Sequence, residues 1–135
     1  MAILAGIDLL AKFLKGDDTG QVGQRFRDYI TKYFQPISPG DEEVIYQLRN
    51  SLLHSFGLYS KSKSKTYRFI VSANDAQLIN NIDSDIYQVD IIALHRKFED
   101  SIEKYANDVN SDVKLQRNFL DMFSNYGAVG IGQKV

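Results

Sequence analysis

Apolar residues recur every three or four positions along most of this chain, which is the spacing of one buried helix face. Ile3, Ile7, Leu10 and Leu14, with Leu4 beside them, predict a helix over 3–14. GDDTG at 16–20 breaks it. Val22, Phe26, Tyr29, Ile30 and Phe34 or Tyr33 predict a second helix over 21–34. Pro36 and Pro39 end that helix and introduce a third. Ser38 is its expected N-cap, with Pro39 in the first turn and Asp41, Glu42 and Glu43 at the positive end of the helix dipole. This third helix is expected to run to Phe56 and stop at Gly57.

The pattern then changes. YSKSKSK (59–65) reads as a flexible basic stretch, and TYRFIVS (66–72) as a strand rich in β-branched and aromatic residues. Residues 83–90, around DIYQVD, are the expected return strand of a hairpin with a long loop. Helical spacing resumes at Ile91, Leu94, His95, Phe98, Ile102, Tyr105 and Val109, and NDVNSD (107–112) is expected to break it. Val113, Leu115, Phe119, Leu120 and Phe123 predict a last helix over 113–124, followed by a loose tail over 126–135. The reading is a mainly α, four- to five-helix up-and-down bundle. A short β-hairpin is inserted after the third helix, at about 59–90, all in one domain over 1–135.

The third helix carries two kinds of face. With a step of about 100° per residue, Val44, Ile45, Leu48, Leu52 and Phe56 form a core stripe. Arg49, Leu53, Tyr46, Asn50 and His54 then follow around the helix, and Gln47 and Ser51 are left on the expected solvated side. A leucine and a tyrosine among polar residues suit a half-buried second interface better than an open surface. Asn50 and His54 are four apart and can touch. Two copies related by a two-fold axis would bring two arginines and two histidines into one cleft.

Composition narrows the choices. The apolar fraction is 44% and the net charge −1, so the chain is globular, and any nucleic-acid contact must come from a local patch. There is no cysteine, which excludes disulfides, Cys-ligated metal and a cysteine nucleophile, and suits a reducing, cytoplasmic compartment. Ala2 to Leu14 lacks a basic leader and is interrupted by Asp8 and Lys12, so it reads as a helix and not as a targeting segment. No stretch is long enough to span a membrane. Two histidines 41 positions apart make no metal-ligand set, and no cofactor or metal is expected.

Arg49, Asn50 and His54, an arginine followed by a polar residue, three further residues and a histidine, resemble the R-x4–6-H motif of the HEPN superfamily. The resemblance implies a helical bundle that forms a homodimer through its motif helices. For active members it also implies a metal-independent endoribonuclease with a composite site at the dimer interface, in many cases a toxin or a phage-defence effector. A toxin subgroup with a nucleotidyltransferase antitoxin partner has a tyrosine two residues after the histidine; Phe56 stands there in this sequence. The chemistry suits the residues. RNA supplies its own 2′-OH nucleophile, His54 would act as general base or acid, Arg49 as phosphate clamp and Asn50 as orienting residue. The alternative is a HEPN-like module without catalysis that binds RNA, a nucleotide or a protein.

Other residues enter as supports. Lys61, Lys63, Lys65 and Arg68 would track an RNA backbone if the hairpin folds back to the motif; otherwise they keep a loop soluble. Tyr59, Tyr67 and Phe69 alternate with them and offer rings for bases, although Phe69 is more naturally a packing residue. Asp8 and Tyr46, with Tyr59, are auxiliary candidates: Asp8 would orient Arg49 or His54 across the bundle, or else merely edge its helix. His95 reads as a structural histidine, and GDDTGQVG matches no phosphate or calcium loop.

Overall fold

The structure, a computed structural model, describes residues 2–54 and 57–125. Phe56 and the tail 126–135, for which expectations were given above, lie outside the described residues. Helix α1 (Ala2–Lys15) turns Leu4, Ile7, Ala11 and Leu14 inward, and α2 (Val22–Tyr33) turns Phe26, Tyr29, Ile30 and Tyr33 to meet them. Phe26, Tyr29, Ile30 and the adjoining Phe34 are wholly buried, each contributing roughly 1.5–3 kcal/mol of apolar burial. Helix α3 (Asp41–His54) adds Val44, Ile45 and Leu48. It begins at Asp41 and not at Pro39, because Gly40 sits at φ 93° and cannot belong to a helix.

Helix α4 (Ile91–Ser111) runs through most of the predicted break at 107–112. The chain bends only at Asp112, which accepts from the N–H groups of Lys114 and Leu115 and so caps α5 (Val113–Asn125). Tyr33 on α2 donates to Asp108 of α4 at 2.9 Å, tying the last turns of α4 to the bundle.

The β region is larger than a hairpin. Strands β1 (Tyr59–Ser62), β2 (Lys65–Ser72), β3 (Ile79–Asp83) and β4 (Ile86–Asp90) form one mixed sheet in the order β1-β2-β4-β3. The stretch expected to be flexible is β1, joined to β2 by a two-residue turn in which Lys63 has φ 55°. The strand expected to return antiparallel to β2 is β4, and it runs parallel to it. This is possible because loop 73–78 and β3 carry the chain across before β4 begins, and β3 pairs antiparallel with β4. Tyr67, Phe69, Tyr87 and Val89 line the covered face of the sheet. The molecule is therefore mainly helical, with five helices and a four-stranded mixed sheet after the third among the described residues.

Candidate functional site

Arg49 and Asn50 lie past the middle of α3 and His54 ends it. Arg49 Nε donates to Asp8 Oδ2 of α1 at 2.8 Å, and Arg49 Nη1 donates to Asn50 Oδ1 at 2.9 Å. The Arg49 and Asp8 side chains are 14% and 19% exposed, so this ion pair is largely withdrawn from water. The guanidinium also lies 5.7 Å from the centre of the Tyr46 ring. Asp8 thus pairs with Arg49 across α1 and α3. Asn50 holds Arg49 through its oxygen and keeps its NH2 group for another acceptor.

Tyr46 is wedged between α2 and α3. Its ring packs 5.6 Å from that of Phe26, with the Arg27 guanidinium 4.3 Å above it. Gly23 makes room: a Cβ there would come within 2.8 Å of the Tyr46 hydroxyl. The second face of α3 is half covered by the chain's own helices at Tyr46 and Arg49, and open at Leu53 and His54. Leu53 is 41% exposed. His54 is exposed and makes no hydrogen bond to another described residue.

Gln47 and Ser51 are not on a solvated side. They are 3% and 1% exposed, because the sheet covers that side of α3. Ser60 of β1 donates to Gln47 Oε1 at 2.5 Å, Gln47 Nε2 donates to Glu43 at 2.8 Å, and Glu43 is ion-paired with Arg27 of α2. A polar chain therefore runs from α2 through α3 into β1. Sequence reading gave Arg27 no role, Glu43 only a place at the helix dipole and Gln47 a solvated position. The four-residue spacing of Glu43 and Gln47 was a local signal; nothing local marked Arg27.

The basic residues divide. In the β1–β2 register Tyr59 faces Arg68, and Lys61 faces Thr66, on the open side of the sheet. Lys63 is at the turn. Lys65 lies on the other side, with Nζ 5.1 Å from the Tyr67 ring and 5.4 Å from the Tyr87 ring. Its hydrogen bond to Tyr87 raises its pKa above the usual lysine value. Lys65, Tyr67 and Tyr87 line a cleft of about 420 Å³ under the first turn of α3. Arg68 is paired with Asp85 at 3.5 Å. His95, expected to be a partly buried structural histidine, is instead exposed on α4, 3.0 Å from Glu99 one turn on.

Among the described residues no three histidine, aspartate or glutamate side chains converge as a metal-holding group, and no helix is long and apolar enough to cross a membrane. Comparison of the chain with protein families, with characterised proteins and with solved structures finds no match to any of them.

Proposed function

We propose that this chain is a HEPN-like, up-and-down helical bundle that cleaves RNA without a metal, as a homodimer through α3. The carrying observation is the open end of α3. Arg49 and His54 are five residues apart, so they diverge by roughly 140° around one helix. Exposed Leu53 lies between them. One chain cannot present both groups to one phosphate from such an arrangement. Two copies packed across Leu53 can pair the arginine of one with the histidine of the other.

The roles follow. Arg49, set by Asp8 and Asn50, keeps outer N–H groups for a phosphate and for the charge that builds in the transition state. His54, with no competing partner among the described residues, takes the 2′-OH proton and returns one to the leaving oxygen. Lys61 and Arg68, with Tyr59, would receive flanking nucleotides on the open face of the sheet. The reading carries with it the cytoplasmic compartment and a toxin or phage-defence setting with an antitoxin partner.

The test is RNA cleavage in EDTA. Wild type should leave cyclic or 3′ phosphate ends. His54→Ala should lose activity by about 10²-fold or more. Arg49→Lys should lose it comparably while keeping a charge near Asp8. Leu53→Asp should give a folded monomer by light scattering, inactive on RNA. Equal cleavage by all four would place the activity elsewhere or in a contaminant. A folded dimer inactive in every form would favour the non-catalytic binding module.

A further inference from the structure

Among the described residues the sheet has two free edges, β1 and β3, and they are not alike. β1 has four residues, carries Lys61 and turns at Lys63. Lysines on so short a strand discourage a further strand. β3 reads INNID, with neither lysine nor proline, and β4 is its one strand neighbour. The carbonyl of Leu78 accepts from the Asp90 N–H, on the β4 side, at 3.0 Å. Backbone groups alternate in direction along a strand. Asn80 therefore also faces β4, while Ile79 and Asn81 turn their N–H and C=O groups to the outer edge. No described residue bonds them there. The irregularity between Asn81 and Asp83 ends the regular edge at Asn81.

A groove lies between this edge and the segment 36–41 that leads into α3, in two adjoining cavities. One, of about 380 Å³, has apolar walls at Pro36, Ile37, Leu78 and Ile79. The other, of about 420 Å³, holds Lys65, Tyr67, Tyr87 and Asn81. Ile79 borders both. A strand laid along the edge would send alternate residues, roughly 7 Å apart, to the same side, one toward each cavity.

The charges of the second cavity select a neutral guest. Lys65 gives one of its three N–H donors to Tyr87 and keeps the others. Asp41 and Glu43 line the same cavity; Glu43 is held by Arg27, and Asp41 spends one oxygen on the Ser38 N–H at 3.1 Å. A carboxylate would meet Asp41, and a cation would meet Lys65. An amide suits both: its oxygen accepts from the ammonium, and its NH2 group donates to the carboxylate.

We infer that the free edge of β3 takes an extended segment of a partner polypeptide as an added strand. Main-chain hydrogen bonds to Ile79 and Asn81 hold it, and alternate side chains, one apolar and one a glutamine or asparagine, enter the two cavities. This site stands apart from the α3 reading and survives that reading's failure.

The experiment is titration of the full chain with acetyl-Val-Thr-Gln-Thr-Val-amide, whose order is the same in either direction, read by backbone amide shifts and hydrogen exchange. Saturable shifts should fall at residues 36–41 and 77–81, and the Ile79 and Asn81 amides should exchange tenfold more slowly or better. N-methylation of the peptide at glutamine alone, or at the two threonines alone, should abolish binding in one case and spare it in the other, since only alternate residues bond the edge. Replacing the glutamine by leucine should weaken binding tenfold, and Lys65→Met should erase that preference. Should the variant fold poorly, the N-methylated peptides decide the matter on wild type. Absence of saturable shifts, or equal tolerance of both N-methylated peptides, overturns the inference. Shifts at 77–81 that grow with protein concentration without peptide would give the edge to a second copy of the chain and overturn it too.

Discussion

At the start of α4 the carboxylate of Asp90 accepts from the N–H groups of Ile92 and Ala93; at the start of α2 the side chain of Gln21 accepts from none. Both helices present the same donors and the same dipole. Asp90 is 1% exposed, and its second oxygen takes the Asn74 N–H and the Ser72 hydroxyl, so one internal anion closes α4, loop 73–78 and the end of β2 together. The first turn of α2 has no acidic residue, and the Arg25 guanidinium that follows it donates to the Thr19 carbonyl. The difference teaches that a helix start can be closed from within the chain, as a structural joint, or left without a side-chain cap.

The comparison can be broken hardest at Asp90. Asp90→Ala removes acceptors for Ile92, Ala93, Asn74 and Ser72 at once, and the melting temperature should fall by roughly 5 °C or more, against a smaller fall for Asp90→Asn. A scan of pH sharpens it next. The Ala93 N–H first, then those of Asn74 and Ala76 and the Ser72 hydroxyl, lower the Asp90 pKa to about 2. A carboxylate held below its unfolded value of about 3.9 stabilises the fold above that value and loses the contribution as pH falls toward its native value. The stability gap between wild type and Asp90→Asn should therefore be full above pH 4 and close between about pH 4 and 2. At the other terminus, Gln21→Asp should stabilise the chain by about 0.5–1 kcal/mol in urea unfolding. The smallest effect is expected from Arg25→Met. It gives up the Thr19 bond but also removes a buried donor with no partner, so the net cost should stay under about 1 kcal/mol.

The helices were legible because their apolar spacing survives into burial. Leu4, Ile7 and Leu14, or Phe26, Tyr29 and Ile30, are core residues for the reason their spacing suggested. The sheet was not legible, because two of its strands carry no apolar alternation. The covered side of β1 offers Ser60, which bonds Gln47, and β3 reads INNID with a register irregularity between Asn81 and Asp83. The wheel of α3 placed Arg49 and Tyr46 at a half-buried edge. It misplaced Gln47 and Ser51, since a polar side reads as solvated until a strand with a matching polar side is known to cover it. The Arg49–Asp8 pair spans 41 positions of chain and could be only one of two options for Asp8 until the bundle was assembled.

The Ser60–Gln47 bond has a consequence for fidelity of assembly. An edge strand as short as β1 has little apolar surface to tell one alignment from the next. Sliding it by one residue would put Tyr59 or Lys61 beneath α3 in place of Ser60. A ring would not fit a space shaped for a hydroxyl, and an ammonium would be drawn out of water against an amide. The buried amide of Gln47 thus works as a gauge that accepts one alignment of the edge and rejects its neighbours, and it keeps Lys61 and Arg68 on the open side of the sheet.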